Sequence, residues 1–539
     1  MEHTSFQAEM PTIHSNRLPY VEVEIPYMGT ACKIVGLLAT PFKWAYKSYT
    51  NYMGTATNPP PAAPGHFVVG SLPELMTYKW SLYDFLTSYS AAYGASGLCL
   101  LKVGTKTFYI VSDAEFAKQI FQNGAAFPRG NSLDIWRKFS SDGLSEGAKA
   151  LEFRGQALNS IGQNHFHYFF NAIKNSSAKW VERLHERAVE NPKLDLMHEC
   201  KRVTLAAFGE SLFKRNPHDK DEPNPFDLHV DNDEFCSRFI NSFQSLFSLI
   251  SARISSPLAN IPVAGDWLYS TVHQDEETAF EDAKKTLKDI LKPIYEGLLN
   301  NPDEIDPSSH FDELLTIFKV NPRNPNYSTI LNESVGFIQA GFETASKALA
   351  WTFYTLSQYP DIQGKLRLQL QEAYKHSLPA SFEDLKTKVP LLFQVIEECL
   401  RLFPPFPFLV RDVVDPQKFP HYDLEKDAML LLSPLLVHRN KKYWGDDCEV
   451  FRPDRWTSEM LEHSWQAAHP EYLTFIMGVH RCPGSFFAKQ EISMFIAHML
   501  LSFELVRDDK CPPAQPKYCV TLESETPMLV TLKTTTTQH

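Results

Sequence analysis

Hydrophobic and polar positions divide the chain into recognisable elements. Residues 98–112, LCLLKVGTKTFYIVS, alternate and are rich in β-branched and aromatic residues around a Gly-Thr turn, the pattern of a hairpin. Asp113 follows in an N-cap position, and AEFAKQIFQ after it has helical spacing. Residues 124–148 are irregular and bear glycines, whereas 150–300 are mostly helical in pattern, broken near Asn216–Asn224 and Ile261–Gly265. In 332–356, NESVGFIQAGFETASKALAWTFYTL, the residues Val335, Ile338, Phe342, Ala345 and Leu349 recur at helical spacing. The run VPLLFQVIEECLRL is helical by pattern too, with Pro390 near its start. After Gly484, SFFAKQEISMFIAHMLLSFEL reads as a long amphipathic helix. Strand patterns cluster near residues 98–112, 406–432 and 518–533, and no internal repeat is visible. The expectation is a mainly helical body with small β-sheets.

Composition narrows the class. The 539 residues are 43% hydrophobic and 13% aromatic, enough for one large core or several smaller ones. A net charge of -12 gives no sign of a nucleic-acid partner. The nine cysteines are scattered, odd in number and without a CxxC pair, which argues against a disulfide framework or a zinc site and for a reducing compartment. The N-terminus carries Glu2, Glu9, Glu22 and Glu24 and shows no cleavable secretory signal. Residues 25–42 are the membrane candidate, but Lys33 interrupts them and Pro26 and Pro41 flank them. A span needs about 20 apolar residues and a central lysine costs about 2.5–3.5 kcal/mol, so an interfacial anchor or an ordinary buried segment fits better than a clean span. The stiff run PPPAAP at 59–64 separates an extension, residues 1–57, from the body at 58–539.

The chemistry centres on Phe475–Gly484, FIMGVHRCPG. Cys482 sits on a tight loop feeding a helix, whose unpaired first amides favour a thiolate. A thiolate ligates soft or borderline metals, haem iron among them, although a lone cysteine there is also an ordinary small hydrophobe. Gly478 lets the loop turn, and Gly484 leaves room for a flat cofactor. The full spacing, Phe475, Gly478, Cys482 and Gly484, resembles the haem-binding loop of the cytochrome P450 family. His480 stands where that family usually has arginine, and can donate to a haem propionate with a charge that depends on pH.

Three further segments extend the resemblance. Inside the helical run lies Ala340-Gly341-Phe342-Glu343-Thr344. A mid-helix glycine costs about 1 kcal/mol against alanine, and Thr344 can bond the Ala340 carbonyl, opening a groove for dioxygen and a water. The segment is similar to the family's oxygen-activation helix, which implies that Glu343 and Thr344 support proton delivery. Glu398 and Arg401 share a helix face, ordinarily a solvated pair worth tenths of a kcal/mol. With Phe451–Trp456, FRPDRW, they resemble a buried family triad of Glu398, Arg401 and Arg455. In Phe403–Arg411, FPPFPFLVR, three prolines fix an extended path; the resemblance puts Phe406, Phe408, Leu409 and also Phe342 at the substrate pocket and Arg411 at a propionate. At 151–166 the chain departs from the family, with Phe153 and Ala157 where many relatives have tryptophan and arginine against a propionate; Arg154 or Trp136-Arg137 are candidate replacements.

The resemblance implies a cytochrome P450 fold with haem b (iron protoporphyrin IX) between the oxygen-binding helix and the helix after the cysteine loop. It implies a monooxygenase that inserts one atom of O2 into an apolar small molecule, with electrons from NADPH through a separate flavoprotein reductase. A proline-rich hinge often follows a membrane anchor in that family, so association with the cytosolic face of the endoplasmic reticulum is expected, and Phe247–Tyr269 is a second membrane candidate or a packed helix–loop–helix. Two rivals share the fold: a haem-thiolate isomerase or dehydratase acting on a peroxide substrate, and a non-catalytic haem or lipid carrier.

Overall fold

The computed structural model describes residues 58–62, 82–103, 106–129, 152, 155–157, 166–213, 226, 233–256, 265–300, 311–318, 320–321, 325–375, 377–419, 421–466 and 469–535. The membrane candidate 25–42, Trp136, Arg137, Phe153 and Arg154 lie outside them. The principal helices are α1 (Leu82–Tyr93), α2 (Ala114–Gln122), α3 (Phe166–Glu190), α4 (Leu196–Phe213), α5 (Asp233–Ser255), α6 (Gln274–Asn300), α7 (Tyr327–Gln358), α8 (Pro360–Tyr374), α9 (Pro390–Leu402) and α10 (Ser485–Ser502).

Helix α7 is the axis of the molecule. Its apolar positions encircle it, as in a helix buried on all sides. Val335, Ile338, Phe342, Ala345 and Leu349 are at most 2% exposed. It packs against α4, α6, α9 and α10. Asp113 caps α2 as expected, its side chain accepting from the Glu115 and Phe116 amides. Pro390 occupies the first turn of α9, where its missing N–H costs no helical bond.

Helix α10 differs from the amphipathic element expected. It packs against α3, α7, α8 and α9, and even Lys489, Gln490 and Glu491 are buried. A surface helix would turn these three to water. Here Glu397 of α9 and Ser464 supply partners for Lys489.

The strands form small separate sheets. One has the order β1 (Leu98–Val103), β2 (Lys106–Val111), β7 (Met429–Leu432), β4 (Leu409–Asp412), with β2 and β7 parallel. The predicted hairpin is its β1–β2 pair, Leu98 opposite Val111. A second sheet has the order β3 (Lys193–Asp195), β11 (Leu529–Thr534), β8 (Phe503–Arg507). Two-stranded pairs are β5 (Gln417–Lys418) with β6 (Asp423–Leu424), and β9 (Pro516–Cys519) with β10 (Thr521–Ser524). Strands β3 and β8 were not in the expected set. β8 starts directly where α10 ends and is held by pairing with β11, Leu505 opposite Leu532. Long-range pairing decides that segment, not its local pattern.

Candidate active site

The cysteine loop is fixed by backbone. Gly478 has φ +71, and a Cβ there would lie 2.8 Å from the Phe121 carbonyl oxygen, so only glycine fits. Ile476 is left-handed as well, at φ +59, a strained conformation for a β-branched residue. The Cys482 amide donates to the Phe475 carbonyl at 2.8 Å, and the Arg481 amide to Gly478 at 3.1 Å, closing the loop on itself. Gly484 is the residue before α10, and the Ala488 amide donates to its carbonyl. Cys482 is half-buried, while Cys99, Cys200, Cys236, Cys399 and Cys448 are buried. Burial pushes the thiols of Cys99 and Cys399 up to about 12, which keeps them protonated.

Phe121, at the end of α2, joins the loop to β4. Its carbonyl abuts Gly478, and its ring lies under the guanidinium of Arg411, 5.4 Å from the ring centre. Arg411 is buried, and its Nη1 also donates to the Val410 carbonyl. His480 is buried on the same loop. The sequence placed the α2 helix but no signal in it marked Phe121.

On α7, every residue from 333 to 357 is buried except Ala340, Gly341 and Thr344. This one turn forms a window in the otherwise covered stretch 333–357. The Thr344 hydroxyl donates to the Ala340 carbonyl at 2.9 Å, the local bond expected from the sequence. Gly341 has a packing role: a Cβ there would meet the Phe208 ring of α4 at 2.5 Å. Thr204 of α4 also donates to the Phe342 carbonyl, at 3.1 Å, so α4 is drawn tightly onto α7 at this turn. The Phe342 ring packs on Phe243 and Phe239 of α5, with centroids 5.4 and 6.3 Å away.

Glu343 is 2% exposed and faces away from the window. Lys347 Nζ lies 3.0 Å from its carboxylate, and the Thr521 hydroxyl donates to it at 3.2 Å. Lys347 also binds Glu523, which Lys201 reaches at 2.8 Å. Burial pushes Lys347 down, but Glu343 and Glu523 outweigh it and hold the ammonium above its ordinary range. Burial pushes Glu523 up, but the two lysines outweigh it and draw the carboxyl down to about 2.

Glu398, Arg401 and Arg455 meet in one cluster, with Glu398 and Arg401 fully buried and Arg455 half-buried at its edge. Arg401 donates to Glu398 through Nε and Nη2 at 2.8 and 2.9 Å, and Arg455 Nε donates at 2.9 Å. The Arg452 amide and Trp456 indole complete the shell at 2.9 and 3.0 Å. Arg401 reaches on to the His438 and Cys448 carbonyls. His438, which the sequence reading passed over, links this cluster to the approach of the cysteine loop. Its Nδ1 pairs with the Arg401 carbonyl at 2.9 Å, and its Nε2 accepts from the Leu473 amide at 2.8 Å. Nδ1 therefore carries the proton, and burial pushes the imidazole down to about 3.

Glu397, next in the chain, holds a separate buried network. It accepts from Lys489 of α10, from Ser464 and from Tyr472. The Lys489 ammonium also lies over the Phe475 ring, 5.5 Å from its centre. Two consecutive glutamates thus brace the two sides of the cysteine loop, and only Glu398 had a motif to announce it.

The four apolar pocket candidates are not gathered in one cluster. Phe342 belongs to the main core and Phe408 to a small cluster with Phe85, Leu86 and Tyr89. Phe406 and Leu409 keep exposed surface. Ala157 is fully buried.

These residues fit a haem. The half-buried Cys482 stands just before a helix start on a loop whose turn at Gly478 only glycine fits, and the central helix opens one turn at a hydroxyl. The arrangement defines the class of the haem-thiolate oxygenases. A profile of the cytochrome P450 family matches residues 59–530, and the chain belongs to that family. It is 24% identical over 480 residues to human cytochrome P450 4Z1, covering 86% of this chain and 89% of that one. It is similar to the chloroplastic protein LUTEIN DEFICIENT 5 of Arabidopsis thaliana, 24% identical over 447 residues, 80% of this chain and 70% of that protein. Mouse leukotriene-B4 omega-hydroxylase 3 is 26% identical over 361 residues, 64% of each chain. The chain is a cytochrome P450 monooxygenase with a haem-thiolate cofactor. Among the described residues, no helix is long and apolar enough to cross a membrane.

Proposed function

We propose that the Cys482 thiolate would ligate the iron of haem b, and that the enzyme inserts one atom of O2 into an apolar small molecule with electrons from NADPH through a separate flavoprotein reductase. The observation that carries this reading is the single window at Ala340, Gly341 and Thr344 on the buried helix α7. Thiolate-bound haem supplies the activation of O2. The protein's own part is to place it and to manage protons. Arg411 and His480 would donate to the haem propionates, and Phe475, Gly478 and Gly484 would shape the loop around Cys482. The Thr344 hydroxyl, held by the Ala340 carbonyl, orients a water for proton transfer, and Glu343 is its acid partner. Glu398, Arg401 and Arg455 hold the loop side of the fold.

Substrate contact falls to the half-buried Phe406 and Leu409, with Phe342 and Phe408 packed behind. An apolar substrate agrees with this lining and with the relative named for leukotriene-B4. Residues 1–57 form an extension that associates with the cytosolic face of the endoplasmic reticulum through 25–42.

Thr344→Ala tests the reading. With a reductase supplied, haem and substrate binding persist while product per NADPH falls and released hydrogen peroxide rises. Thr344→Ser keeps much of the coupling. Equal coupling in wild type and Thr344→Ala removes the hydroxyl from the mechanism, whereas product formed without NADPH consumption favours the isomerase reading.

A further inference from the structure

Two imidazoles meet on the approach to the cysteine loop. His463 is in the last turn of the helix Ser458–Gln466, and His469 stands on the turn that leads toward Phe475. That turn is closed by the Tyr472 amide, which donates to the His469 carbonyl at 3.1 Å. The rings meet edge to face, 4.9 Å between centres, with Nδ1 of His463 3.1 Å from Nε2 of His469. Both residues are half-buried, so the pair can be reached from water.

Glu471 sets the chemistry of the pair. Its Oε1 lies 2.8 Å from Nδ1 of His469, and a carboxylate only accepts, so that nitrogen carries the proton. Nε2 of His469 is left with a lone pair aimed at His463. Two things can fill that gap: the proton of an N–H···N bond, or a cation ligated by both nitrogens. Two nitrogens bound tetrahedrally to zinc, each at about 2.0–2.1 Å, stand about 3.3 Å apart, close to the separation found here. A carboxylate on the far nitrogen of a ligating imidazole is the usual brace of a metal site. His463 also lies at the negative end of its helix, which favours a cation. Among the described residues no group of three His, Cys, Asp or Glu side chains could hold a metal, so water fills the other positions. The cysteine pattern argued only against a thiolate zinc site; this pair is built of imidazole.

We propose that His463 and His469 bind a divalent transition metal that prefers imidazole, zinc or copper, with Glu471 as the positioning residue that orients His469. In a pair of neutral rings the His463 proton moves through solvent from Nδ1 to Nε2 as the ion binds, and no net proton is released. The ion clips together two segments that brace the cysteine loop. Ser464, next to His463, donates to Glu397 at 3.1 Å. Tyr472, next to Glu471, donates to the other oxygen of Glu397. Glu397 holds Lys489, whose ammonium covers the Phe475 ring. Bound metal therefore slows the opening of the loop that releases haem.

Holoprotein made without a polyhistidine tag is cleared of metal with a chelator and dialysed to equilibrium against zinc chloride at neutral pH. Its zinc K-edge absorption is then recorded. Wild type should bind one zinc ion through two imidazole nitrogens at about 2.0–2.1 Å. His463→Ala and His469→Ala should each lose that ion, and Glu471→Ala should weaken it about 10–100-fold. His421→Ala, at an exposed histidine elsewhere, should bind as wild type does. Zinc should slow haem transfer to apomyoglobin several-fold in wild type and leave it unchanged in the two histidine variants. The ferrous carbon-monoxide spectrum without zinc checks the fold of each variant. A wild-type edge without two imidazole nitrogens refutes the site by itself, even if a variant folds poorly. No zinc bound, or binding that survives both histidine changes, refutes it too and leaves an ordinary hydrogen bond. Zinc held by the pair with no effect on haem transfer would keep the site and overturn its bracing role.

Discussion

Removing either arginine of the Glu398 cluster has a calculable effect, and the two differ. Arg401 is fully buried and gives Glu398 two ionic hydrogen bonds, at 2.8 and 2.9 Å. It also satisfies the His438 and Cys448 carbonyls at 2.6 and 2.7 Å. Arg401→Ala breaks a buried pair, an effect of about 3–5 kcal/mol before the void is counted. Arg455 gives Glu398 one bond, at 2.9 Å, and Arg455→Ala leaves the Arg401 fork, the Arg452 amide and the Trp456 indole in place. A lost charge-assisted bond is worth about 1.5–3 kcal/mol. A domain's whole stability is about 5–15 kcal/mol, so the first change removes a large share of it and the second a smaller one. Urea unfolding of the holoproteins, followed by haem absorbance and far-ultraviolet circular dichroism, measures both. The expected order is Arg401→Ala well below Arg455→Ala, and that below wild type. Equal losses, or losses under about 1 kcal/mol for both, would refute the argument that Arg401 is the chief partner of the buried charge.

Two other predictions concern the cysteine loop and its support. Gly478→Ala puts a Cβ 2.8 Å from the Phe121 carbonyl at φ +71, so the yield of folded holoprotein should collapse. Gly484→Ala adds only an ordinary contact 3.9 Å from the cysteine sulfur, so that protein should fold and lose haem affinity alone, as dialysis against apomyoglobin would show. His438 is buried neutral with its pKa lowered to about 3, below the unfolded value of about 6.5. Its contribution to stability is therefore full above about pH 6.5 and is lost progressively as pH falls toward 3. His438→Gln should be less stable at neutral pH and should flatten that part of the unfolding profile; identical pH profiles would count against the buried neutral imidazole.

Much of this architecture was legible because it is local. The Asp113 cap, the α9 start at Pro390 and the Thr344 bond to Ala340 each depend on residues within one helical turn. The phase of α7 followed from apolar spacing, and the Glu398 triad from two motifs read by resemblance. What escaped is non-local. Nothing in SFEL marks Phe503–Arg507 as a strand until β11 lies beside it. Lys489 reads as the polar face of an amphipathic helix until Glu397 is placed opposite. Lys347 stands four residues after Glu343, the one local sign of the ion cluster, but Glu523 and Lys201 reach it only through the fold. The role of Gly341 inverted for the same reason: the space beside it is filled by the Phe208 ring, so the glycine admits α4 rather than opening a groove.

The account stands on Cys482 as the iron ligand. The most direct measurement is the ferrous carbon-monoxide spectrum of wild type and Cys482→Ser, each reconstituted with haem. Wild type should show the red-shifted band of thiolate ligation, and Cys482→Ser should lose it together with monooxygenase turnover. An unchanged thiolate-type band in Cys482→Ser would place the ligand elsewhere and contradict the account.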